Sequence, residues 1–171
     1  EVPAGQKTAA RGAWVPAPAE ELFRAVTGKV SPGALVAEDL GTITSDVRAL
    51  LDGLGLPGMR VLLFAFSSVE GAGHHAPHSH AEKDFVYTGT HDNNTVRGWF
   101  EREAKKEERE KFFAYTGFRV PAARVHEAMI RLAMMSVART AVIPMQDVLG
   151  LGEQARMNLP AGREGYWRWR L

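Results

Sequence analysis

Apolar and polar positions along this chain alternate in two different rhythms, and together they predict short buried strands separated by amphipathic helices. Pro18 to Val26 reads as a helix, with acids at Glu20 and Glu21, apolar Leu22, Phe23 and Val26, and Gly28 just beyond its end. Ala34-Leu35-Val36-Ala37 reads as a short strand ending on Glu38-Asp39. Thr44 is placed to cap a helix that carries Val47, Leu50 and Leu51 on one face, and Gly53, Gly55, Pro57 and Gly58 stop it. The unbroken apolar run Val61 to Phe66 predicts a strand covered on both faces. A further strand, Phe85-Val86-Tyr87, stops at Gly89 and delivers His91-Asp92 at its tip.

Beyond that tip, Thr95 to about Tyr115 predicts one helix, with Glu101/Lys105 and Glu107/Lys111 spaced as i,i+4 pairs and the charge run 101–111 facing solvent. Pro121 opens another helix, whose Val125, Met129, Leu132, Ala133 and Val137 share an apolar face. Ala141 to Met145 is the last predicted strand, with Gln146-Asp147 at its end. Strands alternating with helices predict an α/β fold with a parallel sheet. Four strands in this length amount to about half of a (β/α)8 barrel, which needs roughly 250 residues. A small open sheet fits the same pattern, and a half barrel would leave two strand edges unpaired.

Composition narrows this picture without changing it. The 171 residues are 45% hydrophobic and 24% charged, with a formal net charge of +1 and no cysteine. That is the profile of an ordinary globular domain, with neither the basic footprint of a nucleic-acid binder nor an apolar run long enough to span a bilayer. Nucleic acid and membrane are therefore not expected partners. The absence of cysteine and of a signal-peptide pattern points to the cytoplasm. There is no internal repeat of fixed period, and residues 1–171 read as a single domain without an internal boundary.

Three predicted strand ends carry polar groups, Glu38-Asp39, His91-Asp92 and Gln146-Asp147, and parallel neighbours would converge them on one face. Paired carboxyls of this kind suit glycoside cleavage, in which one gives a proton to the leaving oxygen and another stabilises or attacks the oxocarbenium-like centre. No glycine-rich phosphate cradle follows a strand, and neither a Gly-x-Ser-x-Gly elbow nor a cysteine nucleophile is present. Each acid also has a local explanation, since Asp39 and Asp92 can both cap the turns in which they sit. The segment 67–84 contains His74, His75, His78 and His80, a density that suits zinc or nickel; a loop over a substrate cleft is the preferred reading, with no metal and no cofactor. Trp99, Trp167 and Trp169 are expected in the core ahead of sugar-stacking positions.

Four motifs in order carry a resemblance to a known family. They are Ala37-Glu38-Asp39-Leu40-Gly41, Leu56-Pro57-Gly58-Met59-Arg60-Val61-Leu62 with Phe64-Ala65-Phe66, Tyr87-Thr88-Gly89-Thr90-His91-Asp92-Asn93, and Arg156-Met157-Asn158 with Trp167-Arg168-Trp169-Arg170. Together they resemble the C-terminal part of amylomaltases, bacterial 4-α-glucanotransferases of the α-amylase clan. The resemblance implies the second half of a (β/α)8 barrel that transfers α-1,4-glucan segments between maltooligosaccharides by a retaining mechanism. It implies Glu38 as acid/base and Asp92 as the carboxylate that stabilises positive charge. His91, Asn158, His78 and Asp39 are the substrate-binding candidates.

The same resemblance implies an attacking Asp in an Arg-x-Asp-His motif, which this sequence lacks. Glu1 to Gly5 resembles the segment shortly downstream of that motif, so the missing N-terminal part of the barrel is the expected partner, and the 171 residues alone are expected to be inactive. Tyr166 stands where relatives often have Asn, and Ser67 where they often have an acid. The rival readings are an α-glucan hydrolase of the same clan and a non-catalytic glucan-binding half barrel.

Overall fold

The structure is a computed structural model that describes residues 1–41, 43–160, 162, 164 and 166–171. It divides into two compact units, Glu1–Leu35 and Val36–Leu171. In the first, helix α1 (Ala19–Thr27) lies where the apolar spacing puts it, with Glu20 and Glu21 in its first turn, and it buries none of its residues. The amino terminus donates to Ala13 O at 2.7 Å while Ala13 N–H donates to Glu1 O at 2.9 Å, which closes the opening segment on itself.

The second unit holds a three-stranded parallel sheet in the order β1 (Met59–Val61), β2 (Phe85–Tyr87), β3 (Thr140–Val142). Register pairs Met59 with Phe85 and Phe85 with Thr140. The fold class is thus α/β with a parallel sheet, as the alternation of strands and helices predicts. The same unit contains helices α2 (Ser45–Gly53), α3 (Leu62–Ala65), α4 (Val96–Gly98), α5 (Lys106–Thr116), α6 (Val125–Met134) and α7 (Met145–Val148), with a π-helical turn at Trp99–Glu103. The core joins Val61, Leu62, Val86, Val96, Phe112, Val125 and Met129, all fully buried.

Several sequence expectations are corrected. Residues 34–37 form no strand: Pro32–Ala34 is a 3-10 turn, and the segment after it meets the chain just before β1 through Ala37 N–H to Pro57 O at 2.9 Å. The next edge donor, Met59 N–H, is taken at 2.6 Å by the Asp39 carboxylate in place of a backbone carbonyl, so the ladder does not continue, and the described residues form three strands, not four. A side chain at Gly58 would collide with that carboxylate. The apolar run 61–66 is strand only to Val61 and then becomes α3, because full burial on all sides fits a helix as well as a strand. Thr44 occupies the N-cap position of α2 without a side-chain capping bond.

The predicted 95–115 helix is broken. Ala104 N–H reaches Trp99 O, five residues back, at 2.8 Å, and Glu108 then accepts Lys105 N–H at 2.8 Å to start α5 afresh. That break removes the spacing between Glu101 and Lys105, and Arg97 pairs with Glu101 instead at 2.8 Å. Lys111 likewise turns from Glu107 to donate to Ser67 O at 3.1 Å. Helix α6 buries Val125, Met129 and Ala133 as expected but stops at Met134, so Val137 is exposed. The last strand ends at Val142, which places Gln146 and Asp147 in α7.

The histidine-rich segment 67–84 contains two 3-10 turns, and its His75, His78 and His80 imidazoles are bound to separate partners. His75 Nδ1 accepts Val61 N–H at 3.1 Å, while His80 bridges Ser136 Oγ at 2.7 Å and His75 O at 3.0 Å. Burial, reinforced by the Arg60 charge, pushes His75 down to about 4, and burial also lowers His80. The His75 ring must be neutral to accept its bond. The unfolded chain, with His75 near its ordinary 6.5, therefore binds the proton more readily, so stability rises with pH between about 4 and about 6.5. His75→Asn should flatten that rise in urea-unfolding midpoints measured from pH 4 to 7; an unchanged slope would show that His75 is not the group responsible.

Candidate functional site

A cavity of about 570 Å³ opens where β2 and β3 end, in the second unit. Its wall includes Glu38, Tyr87, the run 89–95, Gln146, Asp147 and Arg156. The strand-end position suits chemistry, because loops there project side chains from a rigid sheet.

The loop after β2 is built by its own polar side chains. Asn93 Oδ1 accepts Thr90 N–H at 2.8 Å and Thr90 Oγ1 at 2.9 Å, while the Thr95 hydroxyl caps α4 by accepting Gly98 N–H at 3.0 Å. Thr95, not Asp92, thus satisfies the helix start, and Asp92 is left free for another task. The loop is pinned at both ends by Asp147. Its carboxylate accepts Thr88 Oγ1 at 2.6 Å and Val96 N–H at 2.7 Å, and its burial raises the pKa despite those bonds. Asp147 therefore holds the loop and is itself almost fully buried.

Asp92 and His91 stand half-exposed at the loop apex, with His91 Nε2 3.5 Å from Asp92 Oδ1. Asn158 Nδ2 donates to Asp92 Oδ1 at 2.6 Å, and Asn158 N–H donates to His91 O at 3.1 Å. Trp167 stacks on the His91 ring with centroids 5.3 Å apart and is 53% exposed, so the core position expected for it is corrected; Trp99 is buried as expected. Trp167 is held there by its N–H to Met157 O at 2.7 Å.

The structure thus brings Glu38, His91 and Asp92 to one cavity, with Asn158 bonded to Asp92. It places two other candidates elsewhere. The Asp39 carboxylate lies at the start of β1, bonded to Arg60 at 3.0 Å and to Met59 N–H, and this tether draws it from the cavity. His78 packs on Tyr115, with Nδ1 3.0 Å from the phenol oxygen. Sequence reasoning missed the parts played by Asn93, Thr95 and Asp147. The Asn93-Asn94-Thr95 run carried a usable signal, since such residues bond neighbouring backbone in turns. Among the described residues no cluster of three or more His, Cys, Asp or Glu side chains is disposed to hold a metal ion, and no helix is long and apolar enough to cross a membrane.

Comparison with known proteins adds independent information. A family model described as 4-alpha-glucanotransferase matches residues 1–171. The 4-alpha-glucanotransferase of Aquifex aeolicus is 44% identical over 171 residues, which are 100% of this chain and 35% of that protein. The corresponding protein of Synechocystis is 46% identical, with 99% of this chain and 33% of that protein covered. The solved amylomaltase from Streptococcus agalactiae in complex with acarbose superposes with a TM-score of 0.89 at 35% identity, over 99% of this chain and 34% of its own. The chain spans about a third of the length of the relatives it matches.

Proposed function

We propose, since this chain belongs to the 4-alpha-glucanotransferase family, that it carries two of the carboxylates of an enzyme that moves α-1,4-glucan segments between maltooligosaccharides. The observation that supports this most directly is the placement of Glu38 and Asp92 on one cavity, with Asn158 bonded to the Asp92 carboxylate. Glu38 is the acid/base. Protonated, it gives its proton to the glycosidic oxygen as the bond from that oxygen to the anomeric carbon breaks, and the departing glucan leaves with a new hydroxyl. As carboxylate it then removes the proton from the 4-hydroxyl of an incoming glucan.

Asp92, held by Asn158, is the fixed negative charge beside the sugar ring while the anomeric carbon is electron-poor, an electrostatic task that needs a preset direction. His91 binds the sugar next to it. The attacking carboxylate, which bonds the anomeric carbon as the first glucan departs and is displaced from it when the incoming 4-hydroxyl oxygen forms the new glycosidic bond, comes from outside these 171 residues, in a further part of the same barrel. Both outer strands support this, because β1 and β3 each have a sheet neighbour on one side only among the described residues. Acarbose in the amylomaltase relative supports an oligosaccharide as ligand.

Incubation of the full-length protein with maltotriose is expected to redistribute chain lengths without a net gain of reducing ends. Net release of reducing ends in proportion to substrate loss would instead identify a hydrolase. The 171-residue chain alone is expected to show neither, and disproportionation by it would remove the need for an outside nucleophile.

A further inference from the structure

The π-helical turn Trp99–Glu103 follows α4, the helix that the cavity loop opens, and it leads to bonds that the proposed chemistry has not used. Such widened turns recur at functional sites because they redirect the side chains that come after them. Here the side chain at the end of the turn is Glu103. Its Oε1 accepts from Arg156 Nη1 at 2.8 Å and from the buried Asn94 Nδ2 at 2.9 Å.

Arg156 divides its three nitrogens among three acceptors on different segments. Nη1 goes to Glu103, Nη2 to Asp92 O at 2.9 Å, and Nε to Asn158 O at 2.7 Å. Asn158 in turn bonds the Asp92 carboxylate through its side chain and His91 O through its main chain. The guanidinium therefore sits between the main chains of the two residues whose side chains must meet. Its planar fork fixes the directions of all three bonds, which a lysine ammonium cannot do.

We propose that Arg156, steered by Glu103, is a positioning residue: it sets the separation of the Asp92 and Asn158 main chains and with it the direction of the Asp92 carboxylate. The inference rests on the reading of Glu38 and Asp92 given above. Stability alone does not account for the arrangement: Arg156 is only 15% exposed, but the Glu103 end of the pair is 43% exposed, and an ion pair in contact with water contributes little to folding. Orientation does, since a small displacement of a charge that faces a reacting centre costs rate far more than it costs binding.

The test uses the full-length protein and maltotriose. Arg156→Lys should lower kcat by about ten- to a hundredfold while KM stays within about threefold. Its unfolding midpoint should stay within a few degrees of the parent. Glu103→Gln keeps an acceptor oxygen and should lower kcat by about three- to tenfold; it also decides the matter should Arg156→Lys fail to fold. In an Asn158→Ala background, Arg156→Lys should cost less than about threefold more, because the link it serves is already cut.

Unchanged kcat in the folded Arg156 and Glu103 variants overturns the positioning role, and so does the full loss persisting in the Asn158→Ala background. Glu38→Gln, assayed alongside, separates the site assignment from the positioning role. Normal turnover there overturns both, whereas a disabled Glu38→Gln beside a normal Arg156→Lys overturns the positioning role alone.

Discussion

Glu38→Gln in the full-length protein is expected to lower turnover on maltotriose by about a hundred- to ten-thousandfold, the range that a lost general acid/base produces. The substitution keeps shape and volume and removes only the proton that can be transferred. Glu38 is exposed on the cavity wall and lies outside the buried core, so folding should be untouched. The measurement is kcat beside an unfolding curve. Turnover within a fewfold of the parent would take the acid/base role from Glu38, and a large fall in the unfolding midpoint would show that it had been serving the fold.

Asp147→Ala is the substitution expected to cost most in stability. It leaves the Thr88 hydroxyl and Val96 N–H without their acceptor in fully buried surroundings, at about 1–3 kcal/mol for each unmet group. Burial also disfavours the Asp147 charge, as its raised pKa shows, so removing that charge returns part of the cost. A net loss of roughly 3 kcal/mol is expected, or about 6–12 °C in Tm for a domain of this size. Asp147→Asn should lose only about 1 kcal/mol, because the amide oxygen still accepts Val96 N–H and the Thr88 hydroxyl can turn to accept from the amide nitrogen. Equal stability of Asp147→Ala and the parent in chemical denaturation would end the view that this acid pins the loop.

Acids that behave so differently are not told apart by the sequence. Glu38-Asp39, His91-Asp92 and Gln146-Asp147 look alike as polar pairs at apolar run ends. In the structure Asp39 is a tether for β1, Asp147 is the anchor of the β2 loop, and Glu38 and Asp92 face the cavity. Spacing cannot separate these cases, because whether an acid meets water, an arginine or a buried N–H depends on chain segments tens of residues away. Arg60 lies 21 residues from Asp39, and Val96 lies 51 from Asp147.

What the sequence by itself determined was the alternation of short strands and helices, the parallel α/β class, the extent of α1 to within a residue at each end, and the three acid-bearing run ends as the places to examine. Local periodicity and motifs carry all of these, and neither needs knowledge of partners. Only the tertiary structure decided that 34–37 is not a strand, that Val61 to Phe66 changes from strand to helix, that a π turn breaks the 95–115 helix, and that Arg156 and Asp147 hold the loop bearing Asp92. Those outcomes turn on which groups the packed chain brings together, since a buried donor takes whichever acceptor comes within reach.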